Sequence, residues 1–234
     1  MAFMWTLIPF SIGILGGTAI CLPVTRNIAW SFVLYVWAYL CVDSQILLYA
    51  HGLEGDRPNW IGKAGSILLA FAVIYLLRIS PLDSGMLLPK RDSYYWILIG
   101  STGATVFSVW VNYIYRNHNQ IVAQTVLYEA FLPGFAEEIV YRGVAYGLLL
   151  KAFQRESTLY RVGATAFVTI LTFSLVHAFP FYFGGGPIRW QSFIFALILG
   201  AWFTFLRQKT GSILAPAIAH NVANLLGLLA STVH

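Results

Sequence analysis

An all-α, polytopic membrane bundle is the fold class that this sequence predicts. Three observations point to it: the composition, the recurrence of apolar stretches of membrane-crossing length, and the chemistry of the breaks between them. Of the 234 residues, 59% are hydrophobic and 10% are charged, with a mean hydropathy of +0.72. Such a chain lacks the polar surface to cover itself in water. Its apolar stretches run to about 17 to 25 residues, enough to cross roughly 30 Å of hydrocarbon as a helix. A helix is required there because every backbone polar group must be satisfied within its own segment. The expectation is a single transmembrane domain over residues 1–234, with about eight transmembrane helices.

The approximate spans are 3–22, 27–50, 61–79, 94–114, 124–150, 162–183, 191–206 and 212–232. Pro23 with Arg26 closes the first span and GLEGDRPN separates the second from the third. SPLDSGMLLPKRDS, RNHNQ, KAFQRES, GGGPIR and RQKTG divide the rest, supplying the Gly, Pro and charge expected at membrane surfaces. The N-terminus enters apolar sequence without a basic leader or a small-residue cleavage site, so the first segment reads as a retained helix.

The net charge of +5 is spread singly or in small groups between these spans. It reads as a topology signal; a nucleic-acid partner would call for a basic and aromatic stripe, which is missing. Loops after odd-numbered spans carry Arg26, Arg78, Lys90, Arg91, Lys151, Arg155, Arg161, Arg207 and Lys209. Those after even-numbered spans carry only Arg57, Lys63, Arg116 and Arg189, which puts the odd loops in the cytoplasm and both termini outside. Cys21 and Cys41 lie in apolar segments as small hydrophobes, so neither a disulfide framework nor a cysteine metal site follows.

Ionisable groups within a membrane helix cost several kcal/mol, so each asks for a partner, a water-filled cavity or a task. The fifth span holds Glu129, Glu137, Glu138 and Arg142, the sixth His177, the eighth His220 and Asn224, and the second Asp43 and Gln45. At about 1.5 Å per residue, Glu137, His177, His220 and Asn224 lie at depths of roughly 20, 22, 12 and 18 Å, so all four can share one central layer. Glu138 and Arg142 stand four apart and can stack as an ion pair, with Glu137 turned by about 100° to a neighbouring face. His220 and Asn224 are also four apart and project from one side of their helix.

This set fits peptide hydrolysis by activated water. Glu137 in a low-dielectric cavity is the candidate general base, and a neutral His177 would hold and polarise the water. His220 and Asn224 would donate to the developing oxyanion, with Glu138 and Arg142 in support. Glu137, His177 and His220 are also a ligand set for a catalytic zinc ion, although the contiguous H-E-x-x-H motif is lacking. A metal-free glutamate mechanism is the preferred reading and zinc the alternative. Asp43 and Gln45 suit a local network or a water path, Glu129 a local structural task before the kink expected at Pro133 and Gly134, and His51, His118 and His234 a place in loops or at the terminus.

EEIVYRG at 137–143, FSLVH at 173–177 and GSILAPAIAHNVAN at 211–224 resemble the E-E-x-x-x-R, F-x-x-x-H and H-x-x-x-N motifs of the CPBP intramembrane proteases. That group contains type II CAAX prenyl endopeptidases and bacteriocin-processing enzymes. The resemblance implies an eight-span bundle with a conical water-filled cavity and maps the family's catalytic residues onto Glu137, His177, His220 and Asn224. Glu138 and Arg142 match its supporting members. Residues 121–234 would form the catalytic core, with residues 1–120 supplying N-terminal helices to which no role is assigned. The implied protein is a multi-pass enzyme of the lipid bilayer, acting on a membrane-anchored peptide or protein, lipid-modified substrates included. The Gly184 to Pro187 loop would be a mobile rim for lateral entry. Two other function classes fit intramembrane Glu and His: a non-catalytic scaffold or immunity protein of the same fold, and an ion-coupled transporter.

Overall fold

The computed structural model describes residues 7–22, 27–55, 57–115, 122–179 and 186–231. Among the described residues every regular element is helical and there is no strand. Arg26, Arg116, His118, His234 and the Gly184–Gly185 half of the expected rim loop lie outside them.

The chain begins with α1, Leu7–Cys21, which contains a π-helical stretch over Ser11–Gly16. Next come α2 (Trp30–Glu54), α3 (Trp60–Leu76), the single turn α4 (Pro81–Ser84) and α5 (Tyr94–Tyr115). The fifth expected span is broken into α6 (Ala123–Phe131), α7 (Pro133–Glu138), a π-helical stretch Ile139–Ala145, and α8 (Tyr146–Ala152). The chain then forms α9 (Thr158–Ala178), α10 (Trp190–Thr210) and α11 (Leu214–Ala230). Trp30–Glu54, Arg91–Ile114, Thr158–Ala178 and Trp190–Thr210 are long and apolar enough to cross a membrane, with α1, α3 and α11 as shorter apolar helices.

Local chemistry explains the helix ends. At the start of α3 the Asn59 side chain accepts from Gly62 N at 2.9 Å, and the Glu54 carboxylate accepts from Trp60 N at 3.1 Å and Ile61 N at 3.2 Å. Three amides without intrahelical partners are thereby satisfied. This reach is why α2 runs on to Glu54, and why His51 sits in its last turn and not in a loop. Ser80 and Pro81 open α4, and Ser157 opens α9. Gly211, with φ +72°, ends α10 in the left-handed conformation that glycine adopts without strain.

Two apolar clusters tie the helices together. Ile14, Val33, Leu40, Ile139, Val144, Leu148 and Val168 join α1, α2, the π-helical stretch, α8 and α9. Ala104, Leu199, Phe203, Leu206, Ala219 and Ala223 join α5, α10 and α11. Outward faces carry Leu34, Leu68, Leu98, Val106 and Trp110, an apolar exterior suited to lipid.

The break in the fifth span positions the site. Pro133 has no N–H to continue the helical ladder, and α7 opens there, directly after Leu132. Asn221 of α11 spans the break, accepting from Gly134 N at 2.8 Å and donating to Phe131 O at 3.1 Å. Gly134 is required by closeness: a Cβ there would lie 2.5 Å from Asn221 Oδ1 and 2.9 Å from His220 Cβ. The seam between α7 and α11 is thus drawn tight where the two acidic residues begin.

Candidate active site

Glu138 and Arg142 are both fully buried, and Nη1 donates to Oε1 at 3.1 Å. Burying two charges is costly unless their remaining hydrogen-bonding capacity is met. Arg142 meets it with Nη2 donating to Gly200 O at 3.0 Å and Nε to Thr204 Oγ1 at 3.4 Å, both on α10. Its guanidinium lies 4.2 Å from the centroid of the Phe173 ring on α9. Glu138 Oε1 also accepts from His220 Nδ1 at 3.0 Å. One carboxylate therefore fixes the imidazole of α11, and the guanidinium that pairs with it reaches α9 and α10.

His177 is oriented differently. Its Nδ1 lies 2.7 Å from Phe173 O, one turn earlier on α9. A carbonyl oxygen only accepts, so Nδ1 carries a proton and Nε2 is the nitrogen turned towards the site. The four-residue spacing in FSLVH brings this carbonyl to the ring, while the Phe173 side chain packs at 4.4 Å against the imidazole. His220 is stacked on Phe203 at 4.7 Å. Both histidines are thus held on one face and through one nitrogen, leaving Nε2 free to act.

Both Nε2 atoms face Glu137. His177 Nε2 lies 3.7 Å and His220 Nε2 3.9 Å from Glu137 Oε2, and Oε2 is buried without a hydrogen-bond partner among the described residues. The other oxygen, Oε1, accepts from Lys63 Nζ at 2.7 Å. The site is accessible on one side: the His177 side chain is 37% exposed, against 19% for Glu137 and 8% for His220.

Glu137, His177 and His220 thus come together from three helices, with Glu138 and Arg142 directly behind. Asn224 is one turn beyond His220, and its amide donates to Glu129 Oε2 at 3.0 Å, so Glu129 of α6 orients Asn224 across the broken span. Asp43 is buried on α2 with Oδ1 unpartnered among the described residues, in electrostatic reach of Lys63 and Glu137. An ammonium already occupies Glu137 Oε1, and among the described residues no group of three or more His, Cys, Asp and Glu is arranged to hold a metal ion.

Lys63 is the main correction to the sequence reading. Read there as a loop cation, it lies in the first turn of α3 and pairs with Glu137, so it leaves the tally of even-loop charges. The signal was present in NWIGK, where an Asn helix cap precedes an apolar run and puts the lysine inside the helix. Asn221 was also missed; it lies beside His220 in HNVAN and off the four-residue spacing that drew attention to Asn224.

Comparison with known proteins bears on the same half of the chain. Residues 121–226 match the family model described as Rce1-like, type II CAAX prenyl endopeptidase, in agreement with the CPBP resemblance. This match contains every residue of the cluster except Lys63 and Asp43. No curated protein and no solved structure matches the chain. The matched description names a prenyl endopeptidase, and with its long apolar helices the chain is an integral, multi-pass membrane protein.

Proposed function

We propose that this chain, whose residues 121–226 match the Rce1-like family model, is an endopeptidase that cleaves a membrane-anchored peptide with water activated by Glu137. The observation that carries the reading is the unpartnered Glu137 Oε2, with His177 Nε2 at 3.7 Å and His220 Nε2 at 3.9 Å. These separations are too long for direct hydrogen bonds and suit one water shared among the three atoms. Such a water gives one proton to Oε2 and the other to His177 Nε2, which turns an oxygen lone pair towards a substrate carbonyl.

As the water oxygen bonds to the carbonyl carbon, its proton passes to Glu137 and the carbonyl oxygen becomes an oxyanion. His220 and Asn224 stabilise that charge. The Asn224 amide carries two protons, of which Glu129 takes one. Glu138, accepting from His220 Nδ1, fixes the ring so that Nε2 faces the developing charge. Collapse of the tetrahedral intermediate breaks the C–N bond, and Glu137 returns its proton to the leaving amine. Neither a covalent intermediate nor a metal ion takes part. The family description makes prenylated peptides ending in a CAAX sequence the first substrates to test.

The test is cleavage of an internally quenched, prenylated CAAX peptide by the full chain in detergent. Glu137→Gln keeps the shape and loses the base, so kcat should fall by about 10²- to 10⁴-fold with the unfolding transition unchanged. A folded Glu137→Gln protein that cleaves at the wild-type rate would falsify the reading.

A further inference from the structure

Lys63 stands outside the matched domain, on a helix that the motifs do not touch, yet makes the shortest contact to the proposed base. A carboxylate presents two equivalent oxygens and rotates easily about its last bond. Something must decide which oxygen faces the histidines. Here Lys63 Nζ takes Oε1 at 2.7 Å, with the lysine side chain only 12% exposed, while Oε2 is left towards both Nε2 atoms.

The helix turn that carries this lysine is held in place. Asn59, which caps α3, donates through Nδ2 to Leu47 O of α2 at 2.9 Å. The Trp60 ring meets Tyr128 of α6 edge-on, with centroids 5.3 Å apart. The first turn of α3 is thereby fixed to its neighbours on both sides, and Lys63 with it.

Electrostatics give the ammonium a second task. Glu137 is surrounded by Glu138 on its own segment, Glu129 on α6 and Asp43 on α2, together with His177, His220 and Arg142. Arg142 is committed to Glu138, so Lys63 is the cation in direct contact with Glu137.

We infer that Lys63 is a positioning residue for the catalytic glutamate: it holds Oε1 and balances the charge of the carboxylate, leaving Oε2 as the oxygen that takes the proton from water. Transfer of that proton to Glu137 weakens the ion pair at the moment the acid must give the proton up to the leaving amine. This inference rests on Glu137 being the base, and the experiment lets the two fail separately.

Lys63→Met, Lys63→Gln, Lys63→Arg and Glu137→Gln are compared in the full chain with the prenylated CAAX peptide, each checked for its unfolding transition. Lys63→Met is expected to lose about 10²-fold in kcat, the scale of a misplaced reacting group. Its KM should stay within about twofold, since the lysine acts on the reacting atoms and not on substrate affinity. Lys63→Arg, which keeps the charge, should be about tenfold faster than Lys63→Gln, a comparison that stands even if Lys63→Met is not recovered folded. A purely structural lysine would move stability without this kcat split. Wild-type kcat in a folded Lys63→Met or Lys63→Gln protein, or an arginine variant no faster than the glutamine one, overturns the inference. An inactive Glu137→Gln beside a fully active Lys63→Met overturns the lysine alone, whereas an active Glu137→Gln overturns both.

Discussion

Arg142→Met puts an apolar chain of similar length into a site where the guanidinium is fully buried and makes three polar contacts. Gly200 O keeps a donor after the change, because Thr204 Oγ1 also donates to it at 2.8 Å. Thr204 loses only a long contact. The loss therefore concentrates on Glu138, left as a buried carboxylate with His220 Nδ1 as its remaining donor. Removing one partner of a buried pair costs about 3–5 kcal/mol. Glu138→Gln should cost a comparable amount, since it strands the guanidinium. The double variant leaves no unpaired charge, so its loss should fall short of the sum of the single losses by about 0.5–3 kcal/mol. Unfolding in mixed micelles with increasing SDS measures all four proteins. Additivity to within about 0.5 kcal/mol would mean that the two side chains do not act as one unit, and would refute the reasoning.

Three further outcomes are expected. Gly134→Ala forces a methyl group to 2.5 Å from Asn221 Oδ1; it should cost about 1–3 kcal/mol in the same titration and slow cleavage as α11 is pushed back. Asn224→Ala removes a proposed oxyanion donor and should lower kcat by about 10²- to 10³-fold with little change in KM; unchanged kcat would remove Asn224 from the mechanism. Chelators such as 1,10-phenanthroline should leave the rate unaltered, and elemental analysis of the active protein should find no stoichiometric zinc; a chelator-sensitive rate restored by zinc would instead favour Glu137, His177 and His220 as ligands.

Much of this arrangement could be read from the residues before any coordinates. The apolar period and the Gly, Pro and charge at the breaks placed the helices, because lipid admits few other structures. The i and i+4 spacing placed Glu138 with Arg142, since such pairs meet on any helix. Depth along each span brought Glu137, His177 and His220 to one layer, which the three helices share. What could not be read depends on rotation and on breaks. Lys63 could be placed in its helix from NWIGK, but its pairing with Glu137 could not be read, because sequence does not say which way that helix face turns. Asn224 turns part of its amide to Glu129 because the span is broken at Leu132, which brings α6 beside α11. Asn221 has meaning only once that break exists.

The neighbouring acids Glu137 and Glu138 have opposite surroundings, and this bears on how substrates could be caught. Glu138 joins two side chains in the closed interior, so a change there disturbs the architecture along with the chemistry. Glu137 borders the accessible side, where its neutral amide analogue would leave the walls standing. A chain silenced at Glu137 is accordingly the bait of choice for retaining an uncut client in native membranes, whereas one silenced at Glu138 would confuse lost capture with lost integrity.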